Sequence, residues 1–372
     1  MPELLPRTRA LLERGIEERL HLGGQLYVAR GGTILADLAL GEDRPRQALS
    51  TDHLMLWLSS SKPVAAVAVA QLWERGRLEL DDRVARHIPE FAQGGKEAIT
   101  LRHILTHTAG FRMLDVGWPD SSWDEILARI CAARLEPRWV PGERAGYHQN
   151  SSWFVLGELV RRLDPSNRPF DVYAREEIFL PLGMSDSWIG MPAERFRAYG
   201  GRLAAMWDTA VDPPQAHRWD TEPRVTHCAP GSNGWGPMRE LGRFYEALLR
   251  GGHGGLPLRP QTVEALVARH RTGLVDQTFR KVMDWGLGFI PNPAIYGDRD
   301  MPYAYGRHAS RRAFGHSGYR SSTAFADPEH GLVVALAVNG TPSDDAHARR
   351  FRAILEAIYE DVGLAPDREK AS

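Results

Sequence analysis

Cysteine is scarce in this chain of 372 residues, which holds only Cys131 and Cys228. Two cysteines exclude a disulfide framework as the stabilising device. Long apolar runs are also missing, because none approaches the ~20 residues that a membrane-spanning helix needs. Charges interrupt every apolar run near the N-terminus, so no signal peptide is visible. We therefore expect a soluble, cytoplasmic protein with no membrane partner.

An excess of charge of either sign is absent as well. The formal net charge is −1, and the charges are scattered without an acidic or basic tail. Nucleic-acid binding requires a basic excess, so we exclude nucleic acid as the main partner. With 43% hydrophobic residues, the chain can bury a large core, in one large domain or in two closely packed ones.

Strand signals lie at both ends of the chain. Residues 25–30 and 33–40 flank a Gly-Gly pair, which predicts a β-hairpin. Residues 322–326 and 332–338 flank a turn containing Pro and Gly, which predicts a second hairpin near the other end. The segment 200–237 is rich in Pro, Gly, Asp and Trp, and a long irregular stretch of this kind is usually functional or disordered.

Helical spacing of apolar residues fills most of the remainder. An opening helix is predicted by Leu12, Ile16 and Leu20, and a closing helix by Phe351, Leu355, Ile358 and Tyr359. Further helices are predicted at 60–76, 101–108, 123–133, 151–162, 169–179, 238–250 and 260–270.

Strand-rich ends around a helical middle predict an α/β (α+β) fold in which one domain is inserted into another. Residues 1–57 and 225–372 would form a discontinuous α/β domain. Residues 58–224 would form a mainly helical domain, and the active site would lie at the interface of the two.

A Ser-x-x-Lys motif at Ser59 and Lys62 carries the first chemical signal. If a helix begins near Ser59, residues three apart face the same side. A serine hydroxyl needs an adjacent base, and a lysine amine can serve if burial depresses its pKa. Ser60 and Ser61 lack this spacing from Lys62. The alternative is that the serine caps the helix and the lysine is solvated. With 18 serines and four lysines, about 0.2 Ser-x-x-Lys motifs are expected by chance.

Several segments together resemble the serine β-lactamase and penicillin-binding-protein superfamily. The likeness is greatest to the class C β-lactamase branch, which also contains esterases, D-aminopeptidases and transacylases. The matching segments are SSSKP at 59–63, ITLRHILTHTAG at 99–110, PGERAGY at 141–147, PLGM at 181–184, WGLG at 285–288 and HSG at 316–318. The resemblance implies an antiparallel sheet flanked by helices, with an inserted all-helical domain.

The resemblance also implies a catalytic tyrosine that shares proton transfer with the lysine. Counting forward from PGERAGY assigns this role to Tyr147, whereas counting backward from Leu156-Gly157 would select His148. The family's Tyr-x-Asn spacing is not kept, so the substrate-binding amide is either Gln149 or Asn150. We expect Tyr147 to be the catalytic residue.

The third family motif corresponds to His316, Ser317 and Gly318, which would bind substrate on a strand beside the nucleophile. Lysine is common at the first of these positions, and the His variant occurs among esterases and peptidases. The backbone amides of Ser59 and Tyr319 would form the oxyanion hole. Replacing lysine by histidine removes a permanent cation, which weakens the expectation of β-lactam hydrolysis.

Other chemistry-bearing residues have simpler interpretations. His103 and His107 have zinc-ligand spacing, but no third ligand is evident, so structural histidines are the better hypothesis and no metal is expected. Aromatic residues near the motifs suit an apolar acyl group. Trp235 is a candidate substrate contact, while Trp57 and Trp153 fit core packing.

These observations predict a serine hydrolase that forms an acyl-enzyme through Ser59 and needs no cofactor. Its partner would be a small ester or amide, so a carboxylesterase-type enzyme is the first hypothesis. A transacylase with an amine or alcohol acceptor is the second, and a β-lactamase or D-amino-acid peptidase the third. A non-catalytic binding or sensor protein on the same scaffold stays open, as does the oligomeric state.

Overall fold

Strands from both ends of the chain meet in one sheet in the computed structural model, which describes residues 5–297 and 301–365. The remaining positions of the predicted α/β domain, 1–4, 298–300 and 366–372, lie outside the described residues. The strands described are β1 (Gly23–Arg30), β2 (Thr33–Arg44), β3 (Gln47–Ala48), β4 (Met55–Leu58), β5 (Trp188–Ile189), β6 (Trp207–Asp208), β7 (Gln215–Ala216), β8 (Gly234–Gly236), β9 (Val275–Asp276), β10 (Lys281–Val282), β11 (Ile290–Pro291), β12 (Phe314–Gly318), β13 (Ser322–Asp327) and β14 (Leu332–Val338).

Helices occupy the middle of the chain and both of its ends. The α-helices described are α1 (Pro6–Glu17), α2 (Lys62–Glu74), α3 (Val84–His87), α4 (Leu101–Leu105), α5 (Trp123–Ala132), α6 (Ser151–Leu163), α7 (Phe170–Ala174), α8 (Ala193–Tyr199), α9 (Glu222–Thr226), α10 (Met238–Leu249), α11 (Pro260–Val267) and α12 (Asp344–Asp361). The 3₁₀ turns described are Ser59–Ser61, Pro89–Phe91, Gly200–Arg202 and Pro293–Tyr296, and a π-helical turn, Arg175–Phe179, continues α7.

The main sheet has the strand order β11-β12-β13-β14-β1-β2-β3 among the described residues, and its strand pairs are antiparallel. Both predicted hairpins, β1–β2 and β13–β14, are confirmed. Gly31 and Gly32 close the first hairpin with φ values of +56° and +81°, a conformation that glycine adopts without a steric penalty. The central position of β14 beside β1 joins the two ends of the chain.

Helices cover both faces of this sheet, which is why β14 is buried along its whole length. Leu336 lies in an apolar cluster with residues of α1 and α12. On the opposite face, Ala335 and Ala337 belong to the cluster that contains Phe244 and Tyr245 of α10. Full burial of a Leu or Phe side chain contributes roughly 1.5–3 kcal/mol. The helices packed on both faces therefore stabilise the position of the sheet.

The predicted helices are found, with differences at their ends. The opening helix stops at Glu17, before Leu20, because Arg19 has a φ of +57°. The helix predicted at 101–108 stops at Leu105, and His107 follows with a φ of +57°. Neither residue fits an α-helix at that φ, and this local geometry is invisible in the apolar spacing.

The helical elements that follow Ser59 and the strands at both ends agree with the predicted α/β (α+β) class. The predicted domain boundaries stay a prediction. Within the described ranges, no helix combines the length and the apolar character needed to cross a membrane.

Candidate active site

The backbone turns sharply just before the predicted nucleophile. Strand β4 pairs with β8 and ends at Leu58, which has a φ of +50° and a ψ of −131°. A non-glycine residue in this region costs of order 1–3 kcal/mol and persists only where the surroundings enforce it. Here the neighbouring Trp57 is fully buried and donates from Nε1 to the Gly236 carbonyl over 2.9 Å. Ser59 then opens the 3₁₀ turn that leads into α2, so the predicted helix start is confirmed.

The three consecutive serines have different surroundings. Ser60 Oγ is buried and donates to the His316 carbonyl over 3.2 Å. Ser61 Oγ is also buried and donates to a carbonyl of β4 over 2.6 Å. Ser59 is partly exposed, and its Oγ lies 3.1 Å from Lys62 Nζ. The structure therefore brings only Ser59 of the three into contact with the lysine amine.

Lys62 is fully buried at the start of α2. Besides Ser59 Oγ, its Nζ contacts the carbonyl oxygens of Gln149 at 2.9 Å and Gly231 at 2.8 Å. No carboxylate in the described part of the chain pairs with it. Burial therefore lowers the pKa of Lys62 well below its usual value of 10.5. An ammonium buried without a counter-ion costs several kcal/mol, so the neutral amine is favoured.

Tyr147 lies beside the lysine, with its ring centre 5.0 Å from Lys62 Nζ. Burial raises the pKa of Tyr147 well above 10.0, and the nearby Ser59 hydroxyl opposes that rise. Tyr147 Oη makes no bond of normal hydrogen-bond geometry within the described ranges. His148 faces elsewhere, since its Nε2 accepts from the Phe111 amide over 3.3 Å. Of the two alternatives, the structure brings Tyr147 to the Ser59–Lys62 pair.

The two candidates for the substrate-binding amide, Gln149 and Asn150, have different surroundings. Gln149 is exposed and lines the adjoining cavity, and its main-chain oxygen holds Lys62. The Asn150 side chain instead accepts a hydrogen bond from Ser232 Oγ over 3.0 Å. Gln149 is therefore the candidate amide residue that lines the cavity.

The motif at 316–318 forms the end of β12, beside the turn that carries Ser59, as predicted. His316 Nδ1 lies 2.9 Å from the Ser317 carbonyl and must donate to it, which leaves Nε2 as an unprotonated acceptor. Nε2 is buried without a partner among the described residues. Burial first, and then the nearby Lys62, lower the pKa of His316 to about 3, so the ring is neutral at pH 7.

The rest of the motif brings β12 against the nucleophile segment. Ser317 Oγ donates to Thr323 Oγ1 over 2.9 Å. A Cβ on Gly318 would lie 2.5 Å from the Trp57 carbonyl oxygen, so the glycine permits close packing of the two segments. Tyr319 follows β12 and is 49% exposed. The oxyanion hole formed by the amides of Ser59 and Tyr319 stays a prediction.

A cavity of about 570 Å³ opens beside these residues. Four of the predicted site residues line it, namely Tyr147, Gln149, Ser317 and Tyr319. Sequence reasoning missed the other walls, which include Phe279, Met301, Tyr303 and residues of α12. The backbone at Tyr303 is unusual, with a φ of +61°, but this is visible only in the structure and not in the sequence. A second cavity, of about 460 Å³ between Trp118 and Cys228, contains none of the predicted site residues.

The tryptophans and the 200–237 segment lie away from this cavity. Trp235 is fully buried in a separate apolar cluster, and its Nε1 donates to Asn233 Oδ1 over 3.1 Å, so its position does not support the predicted substrate contact. Trp57 and Trp153 are core residues, as expected. No described residue of 200–237 lines the cavity, although Gly231 contributes the carbonyl that holds Lys62.

The chain matches the family model described as Beta-lactamase over residues 8–359. Esterase EstB from Burkholderia gladioli is 29% identical, with 96% of this chain and 95% of the relative covered. Penicillin-binding protein 4 from Amycolatopsis lactamdurans is 28% identical over 83% of this chain and 78% of its own length.

Two solved structures are similar over nearly the whole chain. A penicillin-binding protein homologue from Caulobacter crescentus has a TM-score of 0.78 at 30% identity, with 97% of this chain and 98% of the other covered. A family VIII carboxylesterase has a TM-score of 0.79 at 26% identity, with the same two shares covered. These likenesses confirm the predicted fold class and the resemblance on which it was based.

Proposed function

Because the chain belongs to the beta-lactamase family of serine hydrolases, we propose that it is a carboxylesterase-type enzyme that forms an acyl-enzyme through Ser59. Its substrates are small esters or amides. The observation that carries this proposal is the set of three contacts made by the buried amine of Lys62.

Two of those contacts are carbonyl oxygens, which can only accept hydrogen bonds. A neutral amine has two N–H groups, which satisfy the carbonyls of Gln149 and Gly231. Its lone pair then faces Ser59 Oγ at 3.1 Å. This arrangement prepares Lys62 to take the proton of the Ser59 hydroxyl.

The proposed reaction begins when Ser59 Oγ attacks the substrate carbonyl carbon and its proton passes to Lys62 Nζ. The amides of Ser59 and Tyr319 stabilise the resulting oxyanion. The carbonyl re-forms as the bond to the leaving oxygen or nitrogen breaks, and Tyr147 or Lys62 supplies the proton to that atom. Water then attacks the acyl-enzyme and gives a proton to the residue that protonated the leaving atom. That proton passes to Ser59 Oγ as the bond between the acyl carbon and Ser59 Oγ breaks, which releases the acid and the free Ser59 hydroxyl.

The cavity favours an apolar group beside the scissile bond. Its volume lies within the 300–1,000 Å³ typical of small-molecule sites, and Phe279 and Tyr303 provide aromatic walls next to Tyr147. His316 is neutral where many β-lactamases carry a lysine, so the motif offers no fixed cation to a β-lactam carboxylate. At this motif position, uncharged esters therefore fit better than β-lactams, although Arg307, Arg320 and Arg352 also line the cavity.

The test is a substrate panel of p-nitrophenyl esters of increasing chain length, nitrocefin and a D-alanine anilide, each with and without an acceptor amine. We expect ester hydrolysis that falls by about 10⁵–10⁶-fold in Ser59→Ala. The matched control Ser60→Ala removes a neighbouring hydroxyl and should retain the rate within about tenfold. Full activity of Ser59→Ala would refute the proposal, and turnover of nitrocefin alone would refute the ester assignment. Faster transfer than hydrolysis with the amine present would identify a transacylase.

A further inference from the structure

The backbone of the segment 146–148, which carries Tyr147, is held at three successive amides. Gly146 N donates to the His107 carbonyl over 2.9 Å, and Tyr147 N donates to Asp276 Oδ1 over 3.2 Å. His148 N then donates to His107 Nδ1 over 3.0 Å. His107 thus bonds to the amides on both sides of the tyrosine, while Asp276 bonds to the amide of the tyrosine itself.

A buried cation connects these two holding residues. Arg271 Nη2 donates to Asp276 Oδ2 over 3.1 Å, and its Nη1 donates over 3.1 Å to the carbonyl of Thr106, the residue before His107. The Arg271 and Asp276 side chains are only 1% and 0% exposed. The contacts form a closed network away from solvent, so its geometry resists local motion.

His107 itself is held in an unusual state. Its φ of +57° is uncommon for a non-glycine residue, and such strain persists only where the surroundings impose it. Because Nδ1 accepts from the His148 amide, the ring proton is on Nε2. Burial is the largest cause that lowers the pKa of His107 well below 6.5, so the ring stays neutral. The ring centre lies 4.8 Å from that of Tyr147, in a tilted contact.

We propose that His107, Asp276 and Arg271 form a positioning clamp that fixes the Tyr147 phenol against Lys62 and Ser59. This inference rests on the proposed function. The clamp acts on the backbone on both sides of Tyr147 and on one face of its ring, so loosening it displaces the hydroxyl without removing it. Displacement of a reacting group by about 1 Å can cost on the order of 10²-fold in rate.

A double-mutant cycle separates this role from ordinary structural support. His107→Leu puts an apolar side chain of similar size in place of the imidazole and removes the acceptor for the His148 amide. It should lower kcat by about 10–100-fold and leave KM within about threefold. His107→Asn should recover most of the loss, because its amide oxygen can accept and Asn tolerates positive φ. In the Tyr147→Phe background, His107→Leu should cost less than about threefold, since there is no hydroxyl left to position.

The matched control is His103→Leu. His103 Nδ1 also accepts a backbone amide, that of Thr100 over 3.2 Å, but it has no contact with 146–148 among the described hydrogen bonds. It should leave kcat unchanged within about twofold. A second cycle uses Asp276→Asn, which keeps an acceptor for the Tyr147 amide but removes the charge that pairs with Arg271. It tests the link between the two holding residues and serves if His107→Leu does not fold.

Additive losses in both cycles, or an equal fall in kcat for His103→Leu, would overturn the clamp while leaving the proposed function intact. A fully active Tyr147→Phe enzyme would also overturn it, because nothing catalytic would then be positioned. Failure of the proposed function is recognised separately, by a Ser59→Ala enzyme that keeps the wild-type rate.

Discussion

Two lysines, Lys62 and Lys96, are fully buried, and both hold their amine among backbone carbonyls. Lys96 Nζ donates to the carbonyl oxygens of Gln93, Cys131 and Ala133. Lys62 Nζ contacts two carbonyl oxygens and, as its third neighbour, the hydroxyl of Ser59. Burial lowers the pKa of both amines.

The third neighbour separates the two sites. A neutral amine has only two N–H groups, so at Lys96 it would leave one carbonyl without a donor, whereas an ammonium satisfies all three. At Lys62 the neutral amine satisfies both carbonyls and keeps its lone pair for a hydroxyl that can lose a proton. Burial is the largest cause at both lysines, but the nearby Glu97 carboxylate opposes the fall of the pKa at Lys96. Burial alone therefore does not make a base.

The largest expected effect comes from comparing Lys62→Met with Lys96→Met. Both changes replace a buried amine by an apolar side chain of similar length. Lys62→Met should lower kcat/KM for esters by about 10²–10⁴-fold, the range for loss of a general base. Lys96→Met should leave kcat/KM within about threefold, because no reacting group contacts it. Equal losses in the two variants, measured on folded protein, would mean that the structural difference between the sites has no catalytic meaning.

For stability, we expect the two substitutions to rank in the opposite order, with Lys96→Met the more damaging and with a smaller difference between them. Lys96→Met leaves three buried carbonyls without their donor, whereas Lys62→Met leaves two. Each unsatisfied buried group costs about 1–3 kcal/mol. The free energy of unfolding in urea should therefore fall more in Lys96→Met, by about 1–3 kcal/mol. A larger loss in Lys62→Met would indicate that Lys62 is held as an ammonium.

The sequence was most informative where periodicity or a motif determines the structure. Strand-forming runs predicted both hairpins, the first around a Gly-Gly pair and the second around a turn containing Pro and Gly. The spacing of Ser59 and Lys62 predicted their contact, now seen at 3.1 Å. The family resemblance implied that the 316–318 strand lies beside the nucleophile, as the structure has it. Tyr147 was expected from the forward count, and the structure brings it, rather than His148, to the Ser59–Lys62 pair.

Long-range contacts could not be predicted from the sequence, because they depend on tertiary packing. Trp235 was a candidate ligand contact because it is aromatic, but the pairing of β8 with β4 places its side chain in a buried apolar cluster. Phe279 and Tyr303 reach the cavity from segments with no periodic signal. The amides of 146–148 are held by residues that lie about 40 and 130 positions away, a closure that depends on tertiary packing.

The central claim is that neutral Lys62 activates Ser59, and the pH dependence of Ser59 modification tests it most directly. The second-order rate of fluorophosphonate labelling would be followed by intact mass, and the adduct mapped by peptide mass. Because burial lowers the pKa of Lys62, the active neutral amine should predominate well below pH 10.5. In the wild type, the labelling rate should thus rise with pH and level off well below pH 10.5. Lys62→Met should lose this pH dependence, whereas Lys96→Met should keep it. An adduct on a residue other than Ser59, or a rate that still rises near pH 10.5 in both variants, would contradict the account.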